Sequence, residues 1–221
     1  MIIRLPKKFS YKDTASGGCA YVNKGRLYIE GNINFESLMY KLTYDLKGQE
    51  RCCYCGGYLT KKNRTIDHMY PRNFGGVSIP DNLLPCCKQC NHSKMDMTYD
   101  QFQEWRKITS LKEKDKFYRK CILENTKYLK RGKFLIPRKW IVKYNTSEMA
   151  MYIKFNNARN NKYRKIERHF AMWNQYPEPI IISSNGWLLK GKNILSHARN
   201  HNRRRLCAIV LENVVVIKNS P

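Results

Sequence analysis

Four of the nine cysteines in this 221-residue chain are spaced for metal binding. They fall in two Cys-x-x-Cys pairs, Cys52/Cys55 and Cys87/Cys90. Each pair can form a knuckle that offers two thiolates to one tetrahedral zinc. Cys53 and Cys86 are shifted by one residue and are expected to point away from that metal. The competing chemistry is disulfide formation. No signal peptide precedes the pairs, and this spacing in a chain without one reads as metal. Cys19, Cys121 and Cys207 lie outside the framework and read as buried or partly buried thiols.

Between the two pairs stands Asp67-His68, and Asn91 follows directly on the last cysteine. Hydrolysing a phosphodiester requires an activated water and a cation on the developing charge. Asp67 offers a carboxylate oxygen and Asn91 a carbonyl oxygen, both hard ligands that suit Mg²⁺ or Mn²⁺. His68 is of a type that titrates near neutral pH, as a general base should. Lys94, one helical turn beyond Asn91, could reach a phosphate. His92 points about a quarter-turn away and reads as phosphate-proximal or surface. Adjacent side chains of a regular strand face opposite sides, so residue types alone do not bring Asp67 and His68 together.

The ordered set Cys52, Cys55, Asp67-His68, Pro71, Gly75-Gly76, Asn82-Leu83, Cys87, Cys90-Asn91 and Lys94 resembles the HNH endonucleases of the ββα-metal type with a zinc-knuckle framework. The resemblance implies an α+β fold whose ββα-metal core is stabilised by a four-cysteine zinc. By it, Asp67 and Asn91 hold the catalytic Mg²⁺ or Mn²⁺, His68 activates water, and Asn82 braces the loop through backbone hydrogen bonds. The implied activity is cleavage of DNA to 5′-phosphate and 3′-hydroxyl ends. Three readings compete: a plain zinc ribbon in which Asp67 and His68 are ordinary loop residues, a non-catalytic zinc nucleic-acid-binding protein, and an RNA-directed nuclease.

Charge supports a nucleic-acid partner. Lys and Arg number 42 against 17 acids, a net +25, with 12% aromatic residues. That imbalance repels itself unless matched to a polyanion, and duplex DNA is the expected one. A membrane surface is excluded as partner: the apolar runs are too short to span a bilayer and no lipidation or leader motif occurs. A soluble, cytoplasmic protein is expected.

The elements that must position these residues divide into three expected regions. Residues 1–48 carry a β-hairpin, Cys19–Val22 and Arg26–Ile29 around Asn23-Lys24-Gly25, and a helix. Phe35, Leu38, Met39, Leu42 and Leu46 space that helix, which should end at Gly48 and support the first knuckle. Lys7, Lys8 and Lys12 suit either a phosphate backbone or a solvated face. Residues 49–132 form the nuclease core, with Arg64–Ile66 as a strand into Asp67. One flanking helix is capped by Thr98, and another runs from about Leu111 to Arg131 with Tyr118, Cys121, Ile122 and Leu129 on one face and Gly132 as its stop.

Residues 133–221, entered through a junction at Phe134–Pro137, form a basic C-terminal α/β DNA-binding module. It should open with a helix over 148–173, bearing Ile166, Phe170 and Trp173 on its apolar face. Strands at Ile180–Ile182, Trp187–Leu189, Leu206–Leu211 and Val214–Ile217 and a helix at Ile194–Asn200 complete it. Arg159, Lys162, Arg164, Lys165, Arg168, Arg203, Arg204 and Arg205 are its candidate DNA contacts, with a wet basic surface as the plain alternative. The segment order is similar to the ParB and sulfiredoxin-like fold, but Lys190-Gly191…Ile194 lacks that family's acid and arginine, so no activity carries over. The sequence does not specify the oligomeric state.

Overall fold

The computed structural model describes residues 1–131, 133–146 and 161–217, with the backbone alone at 161 and 162. Three sheets organise it. The first begins with β1 (Ser10–Lys12), β2 (Cys19–Asn23) and β3 (Arg26–Glu30). β2 and β3 form the expected hairpin, with Asn23 opposite Arg26. Lys24 and Gly25 make the turn with φ of 45° and 71°, and two left-handed residues match the twist of the flanking strands.

α1 (Phe35–Lys47) follows, capped by the Asn34 side chain, which accepts from the Ser37 amide. It buries Phe35, Leu38, Met39 and Leu42, and Gly48 at φ 76° ends it. α1 packs on β5 (Leu83–Cys87), which pairs antiparallel with β4 (Arg64–His68). The short α2 (Lys88–Lys94) leaves β5 at once, with Cys87 as its N-cap. α3 (Tyr99–Lys107) opens with a capping box between Thr98 and Gln101, and α4 (Leu111–Lys130) is capped by Ser110. Phe102 and Cys121 from these helices join Cys52, Tyr54, Cys86 and Met97 in a small core behind the cysteine pairs. Asn125, unremarked in the sequence, is buried on α4 and bonds the Asp96 carbonyl and Gln101.

The C-terminal part contains β6 (Val142–Asn145), α5 (Asn161–Trp173), β7 (Ile180–Ser183), β8 (Leu188–Lys190), α6 (Lys192–Asn200) and β9 (Arg205–Leu211). Its sheet runs β6-β9-β7-β8, with β7 and β9 parallel. Alternation along β7 sends Ile180 and Ile182 into a core with Ile166, Ile194, Leu195 and Ala198 of α5 and α6. Ile181 faces the other way, into a core shared with Ile3, Leu27, Leu38 and Leu83. Of the helix expected over 148–173, the part before Asn161 lies outside the described residues, as does Gly132.

Two contacts run across the expected three-region division. β10 (Val214–Ile217) does not join the C-terminal sheet; it pairs in parallel with β3 and completes the order β1-β2-β3-β10. Phe134 and Ile136 are buried in the main core together with Ile181, Ile209 and Leu211, so this stretch is packing and not a linker. Apolar burial therefore crosses both expected boundaries. Among the described residues no helix is long and apolar enough to cross a membrane.

A chain ending at Lys133 would lose β10 and the Ile181, Ile209 and Leu211 side chains together. Removal of one such side chain costs about 2–5 kcal/mol, comparable with the whole stability of many domains. The truncated chain should show no cooperative thermal transition by circular dichroism. A transition matching that of the full chain would mean that residues 1–133 fold alone.

Candidate active site

The four paired cysteines converge. The Sγ atoms of Cys52, Cys55, Cys87 and Cys90 all lie within 4.8 Å of one another. The edge of a zinc–tetrathiolate tetrahedron is about 3.8 Å for a Zn–S bond of about 2.3 Å, so a small inward movement encloses the ion. The backbone is already shaped as knuckles. The Gly56 amide donates to the Cys52 carbonyl at 2.9 Å with φ 71°, and the Cys90 amide donates to Cys87 Sγ at 3.4 Å. Burial opposes a Cys52 thiolate, but donation from the Cys55, Cys87 and Tyr54 amides outweighs it and brings this thiol down to about 7. Burial and the neighbouring thiols push Cys90 up. Four thiolates can share this space only around a cation. Cys53 and Cys86 stay outside the cluster, as their offset predicts.

This cluster ties the start of α2 to the segment preceding β4, and so fixes α2 across the strand that ends in Asp67-His68. Asp67 is buried on the α2 side. The Tyr54 hydroxyl donates to Asp67 Oδ2 at 2.5 Å, and Lys94 Nζ lies 3.1 Å from the same oxygen. Burial and the Asp67 charge push the Tyr54 phenol far up, so it remains a donor. Asn91 lies against the same strand, its amide 3.3 Å from the Ile66 carbonyl and 3.4 Å from Thr65 Oγ1. Lys94 departs from its expected place. Its side chain is 1% exposed and its charge is spent on Asp67, which is no position for an open phosphate contact. An ion pair this deep is held by mutual need, since removing one partner leaves an uncompensated buried charge. Tyr54 and this role of Lys94 were not legible in the residue spacing; Tyr54 carries no signal beyond lying between knuckle cysteines.

His68 faces elsewhere. Its Nε2 lies 3.0 Å from Ser78 Oγ, whose hydroxyl donates to Glu36 Oε1 at 2.9 Å. Burial is the main force lowering the imidazole to about 3, helped by the cations Arg72 and Lys190, so the ring is neutral and titrates well below the near-neutral range expected of a general base. Arg72 pairs with Glu36 at 2.9 Å and Lys190 with Glu178 at 3.0 Å. Asn82 is fully buried and spans the loop: Oδ1 accepts from the Tyr70 amide at 2.8 Å, and Nδ2 donates to the Tyr70 and Val77 carbonyls at 3.2 and 2.9 Å. Gly75, at φ 90°, and Gly76 are required there because a Cβ would overlap Phe134 at the first and the Tyr70 carbonyl at the second. His92 is exposed.

Arg164, Lys165, Arg168, Arg203, Arg204 and Arg205 are all exposed. Arg203 sits over the Phe170 ring at 5.2 Å. Arg159 and the side chain of Lys162 lie outside the described residues.

Residues 52–105 match the HNH endonuclease family model. The matched stretch contains both cysteine pairs, Asp67-His68, Asn82, Asn91 and Lys94. The CRISPR-associated endonuclease Cas9 of Corynebacterium diphtheriae is 37% identical over 62 residues, which cover 28% of this chain and 5% of that relative. The likeness is thus to one segment of a much longer protein. No solved structure matches the chain.

Replacing one cluster thiol tests the metal. Cys87→Ser should reduce bound zinc from one per chain to none by elemental analysis. Structural zinc contributes about 10 kcal/mol or more to small modules, so the small core around Phe102 should unfold with it.

Proposed function

We propose that the chain is a metal-dependent endonuclease that hydrolyses phosphodiester bonds in duplex DNA, working in the cytoplasm. The observation that carries this reading is the placement of Asp67-His68 at the end of β4, with a four-cysteine cluster holding α2 and its Asn91 against the same strand. Strand, loop, strand and helix read together as the ββα-metal core, with the cysteines holding structural Zn²⁺. Asp67 and Asn91 have the donor set for Mg²⁺ or Mn²⁺, and such an ion supplies charge stabilisation at the phosphate. Lys94, now on Asp67, would share or yield the carboxylate to it. His68 is the general base, with its imidazole neutral through burial, and Asn82 is the brace that sets the loop behind it.

The exposed Arg164, Lys165, Arg168, Arg203, Arg204 and Arg205 supply phosphate contacts away from the chemistry, together with Arg159 and Lys162. Such contacts position a duplex without reading its sequence. Arg72, near the base and half exposed, is a further candidate for the phosphate that reacts.

Incubation of the purified protein with supercoiled plasmid and with RNA, each with and without Mg²⁺ or Mn²⁺, tests the reading. His68→Ala should lower DNA cleavage by about 10²- to 10⁴-fold while zinc content and DNA affinity stay the same, because the base acts in the transition state and not in binding. Cleavage of RNA alone would replace the substrate. Binding that needs neither Mg²⁺ nor Mn²⁺, with no cleavage of either nucleic acid, would make this a zinc-dependent binding protein.

The basic surface has its own readout. Each phosphate contact contributes about 0.9 to the slope of log K against log salt. The triple variant Arg203→Ala, Arg204→Ala, Arg205→Ala should therefore shallow that slope by up to about 2.7 in duplex-binding titrations. An unchanged slope would make this surface solvated and not DNA-facing.

A further inference from the structure

We propose that Glu36 and Ser78 are positioning residues for His68: a hydrogen-bonded relay from α1 holds the imidazole in its Nε2–H tautomer and leaves Nδ1 to accept the proton. The inference rests on the nuclease reading for its consequence, though not for its geometry. Glu36 lies outside residues 52–105, so the family match does not reach it.

The argument is a count of protons. Glu36 Oε1 receives the Ser78 hydroxyl at 2.9 Å, the Tyr40 hydroxyl at 3.0 Å and an Arg72 N–H at 2.9 Å. A carboxylate with three donors on one oxygen is ionised and accepts only. Burial raises the Glu36 carboxyl, but the Ser78 bond and the nearby Arg72 and Lys190 outweigh it and hold the group below the usual range. Ser78 has one hydroxyl proton, and Glu36 takes it. What Ser78 turns to His68 Nε2 at 3.0 Å is therefore a lone pair, so Nε2 must carry the hydrogen.

Ser78 cannot easily reorient. It is fully buried, and its neighbours Val77 and Ile79 are closed by an Ile79 amide bond to the Val77 carbonyl at 3.1 Å. The Asn82 side chain holds the same Val77 carbonyl. The brace that sets the loop thus also sets the serine.

In the reaction Nδ1 takes one proton from the attacking water, whose oxygen bonds to phosphorus as the bridging P–O bond breaks. The departing oxygen takes a proton from solvent. A ring in the other tautomer presents an N–H to that water and cannot act.

Two measurements on the zinc-loaded full chain test the relay. Imidazole ¹⁵N NMR, with His68 assigned by difference from His68→Ala, should show Nε2–H alone in the native protein and a tautomer mixture in Ser78→Ala. Plasmid cleavage by Ser78→Ala and by Glu36→Gln should fall about 10- to 100-fold in kcat at unchanged KM, with Ser78→Thr restoring it. An Nδ1–H tautomer in the native protein overturns the proposal, as does native kcat in both Ser78→Ala and Glu36→Gln. Should Ser78→Ala lose zinc, Glu36→Gln, which keeps side-chain size at a half-buried position, decides alone. If the native protein cleaves nothing, the nuclease reading fails, and the tautomer measurement still decides the relay.

Discussion

Consecutive side chains of an extended strand point to opposite faces, and β4 ends on two adjacent residues that both bear chemistry. Asp67 and His68 take their hydrogen bonds from different neighbours, so the fold gives each its own wall. On one side Tyr54 and Lys94 converge on Asp67, with α2 pinned across the strand by the cysteine cluster. On the other, Ser78 and Glu36 meet His68, with α1 packed on β5 behind them. The rest of the chain can be understood as what is needed to hold two walls on one strand.

The second wall explains why the molecule is larger than the matched segment. α1 is held by the core that contains Leu27, Ile29 and Val214, and the same core takes in Ile181, Ile209 and Leu211 from the far end of the chain. Lys190 on β8 contributes to the field at both His68 and Glu36. Residues before and after the matched segment thus bear on its histidine through packing and charge. The first wall is built from residues inside the segment, backed by a small core of Tyr54, Met97 and Phe102 to which Cys121 is added from beyond it.

Much of this was legible in the sequence, for identifiable reasons. Paired cysteines announce themselves because zinc geometry demands a fixed local spacing. The α1 face followed from its period, and the β2–β3 hairpin from Asn23-Lys24-Gly25. Thr98 followed from the capping rule. What sequence could not give was long-range. Val214–Ile217 reads as a strand, but nothing local says that its partner is Arg26–Glu30 and not the strand beside it. Ile180-Ile181-Ile182 reads as buried, yet not that it separates two cores. Lys94 looked like a phosphate contact because its type and helical position suit one; only the fold shows its charge already used on Asp67. Glu36 gave no signal, since it lies on the polar side of an ordinary amphipathic helix.

The pairing of β3 with β10 bears on the order of events during synthesis. The first sheet emerges early, yet β3 keeps an open row of backbone donors and acceptors until Val214–Ile217 has been made. Open edges invite wrong partners, and closing so distant a contact is slow compared with forming local ones. The closing also gathers the chain start: the Met1 amine reaches the Val210 carbonyl at 2.7 Å, and Asn213 exchanges two bonds with Ile3. β2 and β3 therefore leave the ribosome as a ribbon with one unfinished margin, which Val214–Ile217 later hems.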